Sequence, residues 1–178
     1  SGPLSPERAV PIMHQLAAAL DYAHSQRIMH GDLNDLCVFV GDAGHVTISN
    51  FGLTQAIAGT DVKQPSVGTP EYLAPERVKG QGPSRPADIY ALGVLAYQML
   101  SGHTPFSGEP ADVLRAQTHR AAPSLHAVNP SISVALSEAI DLALSKQPEL
   151  RYSTATEFSR AFAAAAEGIA PVRRRASA

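Results

Sequence analysis

Ile28-Met29-His30-Gly31-Asp32-Leu33-Asn34-Asp35-Leu36-Cys37-Val38-Phe39-Val40 reads as a polar loop that feeds into a short apolar run. A second apolar run, Val46 to Ile48, follows after Gly41-Asp42-Ala43-Gly44, the residue types a hairpin turn needs. The two runs predict a small two-stranded ribbon with the polar loop at its entrance. Two more polar signatures lie downstream: Ser49-Asn50-Phe51-Gly52 and Gly68-Thr69-Pro70-Glu71-Tyr72-Leu73-Ala74-Pro75-Glu76. From Leu53 to Leu73 no periodicity is sustained, and a loop of that length inside a compact domain is uncommon unless it is functional.

Helical patterns surround this region. Ser5 is placed as an N-cap with Pro6 at the first helical position, and Ala9, Ile12, Met13, Leu16, Ala17, Leu20 and Ala23 recur at helical spacing. They predict one long amphipathic helix ending near Ser25. Asp88 to Leu100 is apolar almost all round, the pattern of a helix buried on every side and hence of a core hub. Two amphipathic segments, Ser133 to Leu144 and Thr154 to Ala166, complete the domain, and Thr154 with Glu157 forms a capping-box pattern. After Gly168 and Pro171 the chain runs to Arg173-Arg174-Arg175-Ala176-Ser177-Ala178. The expected division is a domain over residues 1–168 and a basic disordered tail over 169–178.

Composition narrows the function classes. A chain of 178 residues can bury one sizeable core, and 14 basic against 16 acidic groups leave no overall field favouring nucleic acid or an anionic membrane. With no tryptophan and no basic-aromatic interleaving, nucleic-acid binding finds no support. Cys37 is the lone cysteine, which excludes an internal disulfide, argues for a reducing compartment and is read as a small buried hydrophobe. His119 and His126 lack partners at ligand spacing, so no metal site is expected there. No stretch approaches the roughly 20 apolar residues that span a bilayer, and no signal pattern opens the chain. The expectation is a cytoplasmic domain without a transmembrane segment, its parent protein either free or anchored at the cytoplasmic side of a membrane.

The signatures, taken in order, resemble the large carboxyl-terminal lobe of a Hanks-type Ser/Thr protein kinase of bacterial flavour. His30-Gly31-Asp32 stands for the catalytic-loop H-R-D, Asn50-Phe51-Gly52 for D-F-G and Ala74-Pro75-Glu76 for A-P-E. Gly68-Thr69-Pro70-Glu71, the Asp88 that opens the hub helix, and Arg151 in Lys146-Gln147-Pro148-Glu149-Leu150-Arg151 add three further matches. The resemblance covers roughly residues 3 to 166. It implies a mainly α fold, helices around the buried hub with the short ribbon, and no amino-terminal lobe within this chain. No glycine-rich phosphate loop, V-A-I-K-type lysine or partner glutamate helix is present in these residues.

Several chemistry-bearing letters depart from the family. Cys37 replaces the asparagine that ligates the second magnesium, Asn50 replaces the metal-binding aspartate, Gly31 replaces arginine, and Asn34 replaces a lysine beside the transferred phosphate. Asp32 keeps the position that accepts the substrate hydroxyl proton, and an aspartate there also serves as a structural hydrogen-bond acceptor. Magnesium seeks hard oxygen ligands, so the resemblance implies that both metal positions, Cys37 and Asn50, are vestigial. Gly31 cannot receive a phosphate on Thr60, Ser66 or Thr69 of the activation segment.

The scaffold letters persist. By the same resemblance, His30 and Phe51 are the large-lobe members of a hydrophobic spine, with Asp88 anchoring the backbone near His30. Val38, Phe39 and Val40 with Leu95 and Met99 form the floor beneath an adenine. Glu76 and Arg151 pair, and Gly68, Thr69, Pro70 and Glu71 make the loop that receives a peptide or partner.

Two function classes follow. One is a non-catalytic pseudokinase lobe that binds or regulates another protein, an active kinase or a phosphoprotein, with no cofactor of its own. The other is a fragment of a Ser/Thr kinase that uses ATP and Mg2+ when joined to its missing lobe. For the tail three readings stand: a solvated segment, a juxtamembrane basic stretch, or a basophilic phosphoacceptor at Ser177.

Overall fold

The computed structural model describes residues 2–52 and 68–169. Thr60, Ser66 and Ser177, and with it the expected tail from residue 170 onward, lie outside them. The chain opens with α1, Pro6–Ser25, whose first position is the proline that needs no partner for a missing N–H. Ser5 occupies the N-cap position, but contrary to expectation its hydroxyl takes no backbone N–H of the first turn. The inward face carries Ala9, Met13, Leu16, Ala17 and Leu20, each almost completely buried.

Strands β1, Val38–Val40, and β2, Val46–Ile48, pair antiparallel with Val38 opposite Ile48 and Val40 opposite Val46. The ribbon is fastened to α1 by Gln15, whose Nε2 donates to the Gly44 carbonyl at 2.9 Å and whose Oε1 accepts from the Val46 amide at 2.9 Å. This use of one amide side chain on both edges of the turn fixes the ribbon without a long hydrophobic face.

After the short α2, Pro75–Val78, comes the hub helix α3, Arg85–Ser101. The Ser84 hydroxyl caps its start by accepting from Ala87 N, and Gly102 at φ +84° ends it in the left-handed conformation that glycine adopts freely. Residues Ala87 to Tyr97 are all buried, as an apolar helix without a polar face requires. At Gly93 a β-carbon would stand 3.0 Å from Ala143 Cβ and 3.1 Å from Leu144 Cδ2, so glycine lets the next layer approach closely.

That layer consists of α4, Pro110–His119, α5, Leu125–Val128, α6, Val134–Ala143, and α7, Ala155–Ala166. Sequence periodicity does not single out α4, because only Val113, Ala116 and Gln117 on it are buried. Helix α7 packs chiefly on α1 and α6, closing the bundle around α3. Its cap differs from a simple capping box: Thr154 Oγ1 accepts from Glu157 N, but Glu157 Oε2 accepts from the Ser153 amide, one residue earlier than the box requires. Asp21 of α1 supplies the rest, taking the Ala155 and Thr156 amides at 3.0 and 2.8 Å.

Candidate functional site

The polar loop after α1 is held from below by Asp88. One oxygen accepts the His30 amide at 2.9 Å and His24 Nε2 at 2.8 Å, and the other accepts the Gly31 amide at 2.9 Å. Asp88 is buried with both oxygens engaged, so the loop backbone is fixed at the N-terminal end of the hub helix. Gly31 takes φ +80°, a conformation a side-chain-bearing residue adopts only at a cost.

His30 points into the protein. Its Nε2 donates to the Ser49 carbonyl at 2.9 Å, its Nδ1 accepts from Asp32 N at 3.4 Å, and its ring lies 4.8 Å from the Phe51 ring. Burial lowers its pKa below the ordinary value, ahead of the opposing pull of Asp88. The ring is a packed neutral imidazole bridging the loop and Phe51.

Asp32 projects toward the segment that returns through Gly68–Glu71. Its Oδ1 accepts the Thr69 amide at 3.1 Å, and a β-carbon at Gly68 would collide with its carboxylate. Asn34 is buried and turned into its own loop, with Oδ1 accepting from Leu36 N and Nδ2 donating to Asp32 O, both at 3.0 Å. This capping geometry starts the short 3-10 turn Asp35–Cys37 and leaves the Asn34 amide committed inside the loop.

Cys37 and Asn50 meet. The Asn50 Nδ2 group donates to Cys37 Sγ at 3.8 Å, and the thiol lies 3.6 Å from Asp32 O. Cys37 is buried, and burial pushes its thiol pKa up. Asn50 sits at φ +67°, where asparagine is among the best-tolerated non-glycine residues.

The residues expected to floor an adenine differ in burial. Val38 and Met99 pack against the core and Leu95 is buried within it, whereas Phe39 is 57 % exposed and Val40 51 % exposed. Phe39 therefore faces away from Val38, as alternate strand residues must. Leu36, on the neighbouring 3-10 turn, is 78 % exposed.

The distal scaffold is tightly paired. Arg151 Nη1 and Nη2 contact Glu76 Oε1 and Oε2 at 2.6 and 2.8 Å, Nη1 also reaches the Pro86 carbonyl, and Nε donates to the Ser145 carbonyl. Both side chains are buried. Three residues that the sequence reading did not single out complete the surroundings: His24 on Asp88, Asp21 at the start of α7, and Gln117, which reaches Pro70 and Glu71. These partners lie 46 to 135 residues away in the chain, beyond any local pattern. Among the described residues no cluster of three His, Cys, Asp or Glu is arranged to hold a metal ion.

Compared with known proteins, residues 1–162 match the model of the protein kinase domain. The chain is 34 % identical over 161 residues to the serine/threonine-protein kinase PrkC of Bacillus subtilis, covering 88 % of this chain and 25 % of the relative. It is 39 % identical over 168 residues to Pkn1 of Myxococcus xanthus, covering 89 % and 24 %. It thus spans about a quarter of these relatives' length. The crystal structure of the PknI kinase domain of Mycobacterium tuberculosis superimposes with a TM-score of 0.71 at 26 % identity, over 92 % of this chain and 56 % of that one. With the family model matched over most of its length and the helical architecture shared with a solved member, the chain belongs to the protein kinase domain family.

Proposed function

We propose that this chain is the large lobe of a pseudokinase, a non-catalytic module that binds or regulates a protein partner in phosphorylation signalling. The observation that carries the proposal is the contact between Asn50 Nδ2 and Cys37 Sγ. The two positions that ligate magnesium in active members of the family hold an amide and a thiol turned toward each other, a soft and neutral donor set that fits a hard divalent cation poorly. Asp32 and Asn34 support the same reading. The Asp32 carboxylate accepts a backbone amide of the Gly68–Glu71 loop, and Asn34 brings no cation to the transferred phosphate.

Phosphoryl transfer depends on positioning and on neutralising charge at the phosphoryl oxygens, and losing even one well-placed stabilising group costs about 10²-fold or more. Several such losses leave a scaffold whose surface, not its chemistry, does the work. The partner is a protein, an active kinase or a phosphoprotein, received at the Gly68–Glu71 loop.

The retained Asp32 favours a second reading: a Ser/Thr kinase fragment that transfers the ATP γ-phosphate to protein when joined to an amino-terminal lobe. A thermal melt with millimolar Mg-ATP separates the two for this chain. A ligand bound only by the folded state raises the melting temperature by mass action, and the expected result is no shift. A saturable rise abolished by chelator would overturn the non-catalytic reading in favour of nucleotide use.

A further inference from the structure

Gln117 of α4 is completely buried, and its side-chain amide hydrogen bonds to two elements. Its Nε2 donates to the Pro70 carbonyl at 3.2 Å and to the Glu71 carbonyl at 2.5 Å, and its Oε1 accepts from the Tyr90 hydroxyl at 2.5 Å. Tyr90 belongs to the hub helix, and its oxygen in turn accepts from Lys146 Nζ at 3.2 Å. The Lys146 ammonium lies 4.9 Å from the Phe106 ring centroid and 5.5 Å from that of Tyr90, while the Arg151 guanidinium lies 4.9 Å from the Tyr90 ring.

The donors all run one way, from ammonium to phenol, from phenol to amide, and from amide to two loop carbonyls. A cation at the head of such a chain polarises every bond in the same sense and strengthens it in a buried setting. Burial and the nearby Arg151 bring the Lys146 pKa down to about 8, so it still carries its proton at neutral pH; Arg151, itself paired with Glu76, is the charged neighbour on the other side of Tyr90.

The loop's remaining ties are also internal. Thr69 N donates to Asp32, the Tyr72 hydroxyl donates to Gln98 Oε1, and Gln98 Nε2 donates to Asp35 at 3.2 Å. Gly31 offers no cation to a phosphorylated activation segment.

We propose that Gln117 is a positioning residue for the Gly68–Glu71 loop, a buried amide clamp that, with Tyr90 and Lys146 behind it, holds the loop in its receptive form without phosphorylation. It rests on the reading above only in treating that loop as the partner-receiving surface.

Amide hydrogen exchange followed by NMR on the whole chain tests it, in wild type, Gln117→Leu and Gln117→Glu. Glutamate keeps the size of glutamine and an acceptor for Tyr90, but when ionised it has no N–H for the carbonyls. At a pH high enough to ionise the introduced carboxyl, whose pKa burial raises, the Thr69 and Tyr72 amides should in both variants lose protection by about tenfold or more relative to the hub-helix amide of Val94, since two hydrogen bonds to the loop are gone. Lowering the pH until the introduced carboxyl is protonated, and donates again, should recover protection in the glutamate variant and not in the leucine variant.

Unchanged protection at Thr69 and Tyr72, or a loss matched at Val94, overturns the proposal. So does selective loss in Gln117→Leu alone with the introduced carboxyl of the other variant ionised, which would assign the hold on the loop to the acceptor for Tyr90 and not to the amide donor. If neither variant folds, Tyr90→Phe deletes only the hydroxyl and should give the same selective loss at about threefold, and its absence there is equally decisive against the clamp. Melts with Mg-ATP decide the non-catalytic reading separately, so failure of either leaves the other standing.

Discussion

His30 is held neutral by what its two nitrogens do: one donates to the Ser49 carbonyl and the other accepts from the Asp32 amide. Protonating it would charge a buried ring, which is why its pKa falls below the ordinary 6.5. In the unfolded chain the ring takes up a proton more readily. Its contribution to stability is therefore complete above pH 6.5, declines as the pH falls below that value, and levels off beneath the folded pKa. Urea unfolding of wild type and His30→Gln across that range should show a stability difference that shrinks on acidification, and a difference independent of pH would refute the account. Gly31 makes a backbone argument instead. At φ +80° any β-carbon is strained, so Gly31→Ala should lower stability by about 1–2 kcal/mol even though it adds only a methyl group. A neutral result in chemical denaturation would mean that the loop relaxes to another conformation.

At the scale of elements, legibility followed the range of the forces involved. Helix α1 and the hub α3 were readable because burial imprints a 3.6-residue period on one and an all-round apolar composition on the other. The ribbon was readable from its glycine-bounded turn, and the start of α7 from Thr154. What sequence could not display was set by partners far along the chain. Asp21 caps α7 from α1, and α4 presents few buried apolar positions because its main buried tie is the amide of Gln117. The site divides in the same way. Asp88 under His30 and Arg151 beside Glu76 were legible through family letters, whereas the Asn50 to Cys37 contact emerges only when the loop and the ribbon are brought together. The Arg151 pair ties the 3-10 turn at Pro148–Leu150 to α2, and removing its cation leaves a carboxylate stranded in the interior. Arg151→Ala should cost about 3–5 kcal/mol, the range for breaking one side of a buried ion pair. An unchanged urea midpoint would show that the two elements hold together without it.

For the molecule as a whole, conserving a scaffold and conserving a reaction place demands on different residues. The hub helix, the Asp88 anchor and the Glu76–Arg151 pair build a lobe whose architecture a solved kinase domain shares. None of these groups touches a phosphate in order to do so. On the proposed reading, the reaction would need hard ligands at positions 37 and 50, where this chain has a thiol and an amide, together with phosphate-holding elements that these residues do not contain. Restoring the ligands alone therefore tests which deficit dominates. The double variant Cys37→Asn, Asn50→Asp recreates the family's metal-binding letters and, at position 50, adds the negative charge a hard cation prefers. It leaves the glycine-rich loop and strand lysine absent, so the nucleotide has no clamp on its phosphates and the effective concentration gained by positioning is lost. The double variant of this chain should transfer no labelled phosphate to itself or to a generic protein substrate beyond the level of an Asp32→Ala control. Incorporation clearly above that control would mean that half a cleft positions the nucleotide well enough for chemistry, and would overturn the proposed non-catalytic reading of this chain.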